Sequence, residues 1–215
     1  METVFSGNPW TTSFTEDSFG NIWIGTYRNG TFCFHKNQTP FQKSMSGKNI
    51  ECMSTDHSGN YWIGSLNGEV CVLDSTQKQI MGKTIFPNDM IHTICGQESS
   101  NKVWVGTMYG LYEAWIESNK QIVYQKTSGI NIPSIRSIVQ DSCFLWIASY
   151  NNGVTLYNYS TQQSVVTYKT DSEVLPLPSN TIRTILKDRE NNLWVGTAEG
   201  LVVLNGKERF TSSPI

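Results

Sequence analysis

One short motif occurs five times in the sequence: a tryptophan, then Ile or Val, then Gly or Ala, then Thr or Ser. The five copies are Trp23–Thr26, Trp62–Ser65, Trp104–Thr107, Trp146–Ser149 and Trp194–Thr197. Successive tryptophans are 39, 42, 42 and 48 residues apart. A repeat of this period indicates an array of similar supersecondary units, none of which can bury its apolar face alone.

Each tryptophan segment is the second of four short segments with the composition of β-strands. These segments are rich in β-branched and aromatic residues, and Gly, Asn, Asp or Ser bound them. The third segments are expected at Thr31–Phe34, Glu69–Leu73, Leu111–Ala114, Val154–Tyr157 and Leu201–Leu204. Looser fourth segments are expected at Lys83–Phe86, Gln121–Gln125, Ser164–Tyr168 and Glu208–Thr211. No stretch of ten residues has helical periodicity, so we expect almost no helix.

Four antiparallel strands in about 42 residues are typical of a β-propeller blade. The sequence therefore predicts an all-β propeller of five four-stranded blades, at approximately 9–45, 46–87, 88–128, 129–170 and 178–212. We expect each tryptophan to pack on the neighbouring blade and the nearby Gly to let that blade approach closely. The Thr or Ser hydroxyl is expected to satisfy a backbone group at the strand end.

The two ends of the chain leave the completeness of the ring open. Glu2–Ser6 resembles the fourth-strand segment Lys83–Pro87, so residues 1–6 read as the outer strand of a preceding blade. Counting one fourth strand in each of the five blades, the last at Glu208–Thr211, this makes six outer strands for five blades, which favours part of a larger ring with an edge prone to self-association. The alternative is that residues 205–215 are a tail and Glu2–Ser6 closes a five-bladed ring.

Composition excludes several classes of function. The net charge of −2 and the charged fraction of 16% do not predict a nucleic-acid partner. No stretch approaches the roughly 20 apolar residues of a membrane span, and residues 1–7 do not have the pattern of a signal peptide. The cysteines form no CxxC pair, so we expect buried free thiols rather than a metal site at Cys33, Cys52, Cys71, Cys95 and Cys143.

The motif and its flanking turn resemble a known repeat family. Residues Asp17–Thr26 read Asp-x-x-Gly-Asn-x-Trp-Ile-Gly-Thr, which is similar to the two-component regulator propeller repeat. Asp56–Ser65 differs by its final Ser, and Asp188–Thr197 has Asn where Gly is usual. The third and fourth copies depart further, with Gln97 in place of Asp and Ala148 in place of Gly.

The resemblance implies an architecture and a function. In that family such repeats form the extracytoplasmic sensor of hybrid two-component systems in Bacteroides-type bacteria. Two seven-bladed propellers usually precede a β-sandwich, a membrane helix and a histidine kinase, and the ligand is often a glycan fragment. The resemblance therefore implies a periplasmic sensor segment, part of a seven-bladed ring, whose partners are an oligosaccharide and the remaining blades of the sensor.

Two sets of corresponding positions are candidates for ligand binding. The position after the first apolar residue of each first strand holds Thr12, Glu51, His92, Arg136 and Arg183. Arg, His and Glu could bind sugar hydroxyls or an anionic sugar group. The position after the motif hydroxyl includes Tyr27 and Tyr150, which could stack on a sugar face, but all these residues could equally serve the packing of the repeat. Trp10 and Trp115, outside the repeat, are candidates for a surface platform, and the favoured alternative for Trp115 is that it caps a strand edge.

Catalysis has little support in the sequence. The recurring acids begin turns and do not read as an acid/base pair at Asp17, Asp56, Asp141 and Asp188. No Ser-His-Asp or HExxH pattern is present. The sequence thus predicts a ligand-sensing segment without enzyme activity or cofactor. The alternatives are a protein-interaction scaffold and, less favoured, a glycoside hydrolase or lyase that uses an acidic residue such as Glu51.

Overall fold

All regular structure in the described residues is β-strand. The computed structural model describes residues 10–17, 20–34, 42–44, 49–74, 79–86 and 88–204. These contain five antiparallel sheets and no helix, so the prediction of an all-β chain is confirmed. The chain divides into two compact units, which are Met1–Val105 with Glu113–Gln125, and Gly106–Tyr112 with Lys126–Ile215. The first two sheets and most of the third lie in unit 1, and the fourth and fifth lie in unit 2.

Within each sheet the hydrogen-bonded order of the strands follows the chain. The first sheet consists of β1 (Thr11–Glu16), β2 (Ile22–Thr26), β3 (Gly30–Phe34) and β4 (Gln42–Ser44). The second consists of β5 (Ile50–Thr55), β6 (Tyr61–Ser65), β7 (Glu69–Leu73) and β8 (Gln79–Thr84). The third consists of β9 (Ile91–Gly96), β10 (Lys102–Thr107), β11 (Leu111–Ile116) and β12 (Ile122–Lys126).

The last two sheets differ in their number of described strands. The fourth consists of β13 (Ile135–Asp141), β14 (Phe144–Ser149), β15 (Gly153–Asn158) and β16 (Gln163–Tyr168). The fifth consists of β17 (Ile182–Lys187), β18 (Leu193–Thr197) and β19 (Gly200–Leu204). The strands expected at residues 1–6 and at Glu208–Thr211 lie outside the described residues. The predicted count of five four-stranded sheets is therefore met by four sheets and not confirmed for the fifth.

One predicted strand is displaced along the chain. The segment expected at Lys83–Phe86 is instead β8, which ends at Thr84. Ile85 and Phe86 follow the strand and are buried. The Phe86 ring lies 4.7 Å from the Tyr124 ring, and its backbone N–H donates to the Gly68 carbonyl. Apolar character here reflects packing of a turn, which sequence pattern alone does not distinguish from a strand.

The tryptophan-bearing face of a sheet receives the next sheet. Trp23 is buried, and its ring centroid lies 4.3 Å from that of Tyr61 on β6. In unit 2, Trp146 shares one buried cluster with Ile182 and Ile185 of β17. The motif glycines make this approach possible, since a Cβ at Gly64 would lie 2.7 Å from the Cγ2 atom of Ile91. Such a contact is too short for carbon atoms, so a side chain at Gly64 would force Ile91 to shift.

In four of the five copies the motif hydroxyl bridges the turn that follows the second strand. Thr26, Thr107 and Thr197 donate to the carbonyl of the glycine that begins or immediately precedes the next strand, at 2.7, 3.1 and 2.8 Å. Ser65 donates to the Glu69 carbonyl at 3.0 Å. Ser149 instead donates to the Pro133 carbonyl at 2.7 Å. The expected role of the hydroxyl, satisfying a backbone group at the strand end, is thus observed in all five copies.

Two sheet faces leave apolar side chains in solvent. On the fifth sheet, Trp194 is 37% exposed, whereas Trp62 at the same motif position is 0% exposed. Leu201 and Val203, paired with Gly196 and Trp194 across the strands and hence on the same face, are also exposed. On the first sheet, Phe14 and Ile22 are exposed on the face opposite Trp23. Each unit therefore has an exposed sheet face, although the equivalent faces of other sheets are covered by a neighbouring sheet.

Candidate functional site

A β-bulge marks the candidate position on the first strand of four sheets. The pairing register shifts between Thr11 and Ser13, Ile50 and Cys52, Ile135 and Ser137, and Ile182 and Thr184. The residues skipped by these shifts are Thr12, Glu51, Arg136 and Arg183. A bulge leaves its extra residue outside the ladder and re-aims the side chain, often beside a functional site. The repeat pattern indicated that these residues occupy equivalent positions. The structure shows that this shared position is a β-bulge.

In unit 1 the candidate residues form contacts from sheet to sheet. The Thr12 hydroxyl donates to the Ile50 carbonyl at 2.6 Å. Glu51 Oε1 lies 3.9 Å from His92 Nδ1, and His92 is buried while Glu51 is half-buried. At that distance the carboxylate attracts the imidazole when the ring is protonated. The structure therefore brings Glu51 and His92 together within unit 1.

In unit 2 two arginines meet one tyrosine. The Cζ atom of Arg136 lies 5.1 Å from the centroid of the Tyr150 ring, and that of Arg183 lies 5.3 Å from the same centroid. Both distances are within the range of cation–π attraction. Arg136 and Tyr150 are half-buried, whereas Arg183 is exposed. Two strands and one turn thus converge on a small, positively charged cluster.

Tyr27 takes part in an aromatic cleft of unit 1. Its ring stacks on that of Trp10, with centroids 6.0 Å apart and ring planes 25° apart, and its N–H donates to the Trp10 carbonyl at 2.8 Å. The Arg28 guanidinium lies 5.0 Å from the Tyr27 centroid. With Asn29 these side chains line a cavity of about 510 Å³. Trp10 is 71% exposed, which leaves its ring available to a ligand.

Two residues of this cleft were not identified as candidates from the sequence. Arg28 and Asn29 follow Tyr27 in the turn before β3, and Arg28 has a φ of +70°. Several other non-glycine turn residues of the chain share this left-handed conformation, so it reflects the geometry of the turn. The Arg-Asn-Gly run is the sequence signal for a turn, but it does not indicate that the turn faces Trp10. Trp115, the other tryptophan outside the motif, is half-buried with the Lys102 ammonium 4.8 Å from its ring.

An aspartate ties the turn of the repeat to the tryptophan indole. The carboxylates of Asp17, Asp56 and Asp188 accept from the indole N–H of the tryptophan six residues later, at 3.2, 2.9 and 2.8 Å. Each also accepts from the backbone and side chain of the asparagine between them, which is Asn21, Asn60 or Asn192. Sequence reasoning assigned these acids to turns only. Their carboxylates are engaged in holding the motif, and this use accounts for their recurrence without catalysis.

The surroundings of Asp17 alter its protonation. Burial raises the pKa of the carboxyl, but hydrogen bonds from Tyr61, Asn21 and Trp23 outweigh it and lower the pKa to about 2. The Tyr61 hydroxyl donates to Oδ2 at 2.6 Å. Burial, and to a smaller extent the Asp17 charge, raise the pKa of the neighbouring Cys33 thiol to about 11. Thus Asp17 is held as an anion and Cys33 as a neutral thiol.

We expect Asp17 to contribute to the pH dependence of stability. Its folded pKa of about 2 lies below the ordinary value of 3.8, so its stabilisation is present above pH 3.8 and is lost as the pH falls towards 2. Replacing Asp17 by Asn should lower stability at pH 7 and flatten its decline between pH 4 and 2. Urea unfolding of both proteins across this range measures the difference. Identical slopes for the two proteins would contradict the assignment.

Other chemistry has little support among the described residues. They contain no group of three His, Cys, Asp or Glu side chains placed to hold a metal ion. All five cysteines are free thiols, with Cys33, Cys52 and Cys71 buried, while Cys95 and Cys143 are half-buried rather than buried as expected. In the part of the chain that the structure describes, no helix has the length and apolar character to cross a bilayer.

The repeat has a match among protein families. The family described as two component regulator propeller matches residues 5–28 and 176–199. These two segments carry the two component regulator propeller repeat. The resemblance drawn from the motif Asp-x-x-Gly-Asn-x-Trp is thereby confirmed. No curated protein matches the sequence.

Solved structures share the fold of the chain. The extracellular domain of a putative hybrid two component system from B. thetaiotaomicron aligns with a TM-score of 0.76 and 24% identity, over 98% of this chain and 28% of that one. An auxiliary nutrient binding protein from Bacteroides thetaiotaomicron aligns at 0.70 and 14% identity, over 94% and 61%. The Swd1 β-propeller domain of Myceliophteria thermophila aligns at 0.65 and 11% identity, over 86% and 66%.

These comparisons define the architecture. At such identities the likeness shows the fold alone, and that fold is a β-propeller. The chain spans less than a third of the extracellular domain and less than two thirds of the nutrient binding protein. The two component regulator propeller repeats therefore make up a propeller region, and whatever the longer relatives do as whole proteins is a separate question.

Proposed function

We propose that the chain is the ligand-sensing propeller segment of a membrane-anchored two-component sensor, that it lies in the periplasm, and that it binds an oligosaccharide without catalysing its turnover. The family repeat and the likeness to the extracellular domain of a hybrid two component system support the sensor role. The likeness to an auxiliary nutrient binding protein supports a nutrient as the ligand. The likeness to that extracellular domain also supports a location outside the cytoplasm.

The aromatic cleft is the feature of the structure that supports a saccharide as the ligand. A pyranose ring has an apolar face of C–H groups and a rim of hydroxyls. The exposed Trp10 and Tyr27 rings offer flat apolar area for the face, and Arg28 and Asn29 offer hydrogen-bonding groups for the rim. A cavity of about 510 Å³ is in the size range of small-molecule sites. Trp10 is exposed to 71% although a tryptophan is among the most favourable residues to bury, which favours a binding role.

Saccharide binding by the cleft is testable with matched variants. Trp10→Ala and Tyr27→Ala should each weaken oligosaccharide binding by roughly fivefold, since one aromatic contact contributes about 1 kcal/mol. Tyr109→Ala is the control, because Tyr109 is a 61% exposed tyrosine that does not line the cleft. A glycan panel followed by isothermal titration calorimetry measures the affinities. Binding that survives both cleft variants unchanged would contradict the assignment, and released product would contradict the absence of catalysis.

The uncovered sheet faces fit a longer propeller. We infer that the five sheets are blades at about 9–45, 46–87, 88–128, 129–170 and 178–212, and that further blades of the same sensor cover the faces of Trp194 and Phe14. At the internal contacts the tryptophan face, which is the exposed face at Trp194, receives an isoleucine-led strand against a motif glycine, as Gly64 receives Ile91. The extended reading frame should therefore encode further copies of the motif, then a membrane segment and a kinase. A frame without a membrane segment would overturn the sensor assignment.

A further inference from the structure

We propose that Arg136, Arg183 and Tyr150 form an anion-binding site, and that this site selects an acidic saccharide, one that carries a carboxylate or a sulfate ester. The acidic character follows from the cluster itself, while the saccharide rests on the proposed function. The site lies in unit 2 and is built from residues that do not contribute to the aromatic cleft of unit 1.

The cluster brings two positive charges close to one aromatic ring. Each guanidinium gains from the Tyr150 ring, with Cζ at 5.1 and 5.3 Å from the centroid, but two cations on one ring repel each other. Among the described residues, no carboxylate lies within ion-pair distance of Arg183. The nearby lysine of the same strand, Lys187, is already paired with Asp141 at 2.8 Å. A bound anion would lower the repulsion between the two guanidinium groups.

The geometry of the cluster suits an oxyanion. A guanidinium presents parallel N–H donors that match the oxygens of a carboxylate or sulfate, and two of them can hold one group from two sides. Both arginines occupy β-bulges, which take their side chains out of the regular ladder. Ser134 holds the turn between them in place, because its carbonyl accepts the Tyr150 N–H at 3.0 Å. The positions of the charges are therefore set by backbone structure on three segments.

The rim of the cluster is polar and open to solvent. Asn151 follows Tyr150, is exposed, and accepts a hydrogen bond from the Thr181 hydroxyl at 3.2 Å. Its amide hydrogens are suited to sugar hydroxyls beside the acidic group. An exposed site with two arginines should bind more weakly as ionic strength rises, because solvent ions screen exposed charges. Selection by charge, with hydroxyl contacts at the rim, is what an acidic saccharide requires.

Binding of matched acidic and neutral saccharides tests the site. The probes are an oligogalacturonide, the same oligomer with its carboxyls reduced to alcohols, and a sulfated galactan oligomer of equal length. We expect one or both acidic probes to bind the whole chain at least tenfold more tightly than the neutral oligomer, and the preferred probe identifies the acidic group. The double variant Arg136→Gln with Arg183→Gln should remove this preference. Arg189→Gln, an exposed arginine in the turn of the same sheet, should retain it.

Each of the other outcomes contradicts either the anion site or the proposed function. Equal binding of acidic and neutral probes overturns the anion site and leaves the proposed sensing function standing. A preference that persists in the double variant, or that Arg189→Gln removes to the same extent, also overturns the site. If no saccharide of the panel binds, the proposed function fails, and the acidic saccharide fails with it.

Discussion

Replacing Trp62 by Ala should lower the free energy of unfolding by about 3–5 kcal/mol, the range for removing a fully buried large aromatic side chain. Trp62 is 0% exposed, and its indole N–H donates to Asp56 at 2.9 Å. The variant therefore loses a large apolar contact, and the buried Asp56 carboxylate loses one of its hydrogen-bond donors. Both losses act on the second sheet, in unit 1.

The chain provides a matched control for this substitution. Trp194 occupies the same motif position and makes the same hydrogen bond, to Asp188 at 2.8 Å, but it is 37% exposed. Trp194→Ala should therefore cost about 1–2 kcal/mol, because much less area returns to water. Urea unfolding followed by far-UV circular dichroism measures both, taking the transition of the affected unit where two are resolved. Equal costs would show that the hydrogen bond, rather than burial between sheets, dominates the role of the motif tryptophan.

Replacing Gly68 by Ala should lower the free energy of unfolding by about 2–5 kcal/mol, combining left-handed strain with a steric clash. Gly68 has a φ of +77°, and a Cβ there would overlap the carbonyl oxygen of Phe86. Phe86 is held at this position, because its backbone N–H donates to the Gly68 carbonyl at 3.3 Å. To relieve the overlap, the turn that contains Gly68 would have to move away from the buried Phe86.

Gly59 separates the two contributions. Its φ is +79°, nearly that of Gly68, but a Cβ at Gly59 would meet no atom within 4 Å. Gly59→Ala should therefore cost only the left-handed strain, about 1–2 kcal/mol. The comparison uses thermal and urea unfolding of the two variants under the same conditions. If Gly59→Ala were as damaging as Gly68→Ala, the close approach to Phe86 would carry no weight.

Features confined to one repeat could be predicted from the sequence. The alternation around Trp23 and the turn residues before it predicted β2 and its hairpin, because pairing between adjacent strands depends on a few neighbouring residues. The position shared by Glu51, Arg136 and Arg183 also followed from the period. Pattern did not distinguish β8 from the packed turn after it, since both contain apolar residues at similar spacing.

The candidate sites were only partly predictable. Tyr27 and Trp10 were separate candidates, and their stacking depends on a backbone hydrogen bond that joins the start of β1 to the turn after β2. Arg28 and Asn29 carry no sequence signal beyond that of a turn. The convergence of Arg136 and Arg183 on Tyr150 depends on how two sheets pack, and residue spacing does not report that.

The sequence by itself determined the repeat, the all-β character and the turn chemistry of this protein, because strand alternation, turns and the hydrogen bonds of the Asp-x-x-Gly-Asn-x-Trp motif act over a few residues. Only the tertiary structure decided which copies of the motif are buried and which side chains meet. Trp62 and Trp194 are equivalent in sequence, and a neighbouring sheet covers the first but not the second. Burial depends on contacts between segments distant in the chain, so it differs between copies whose local sequences are alike.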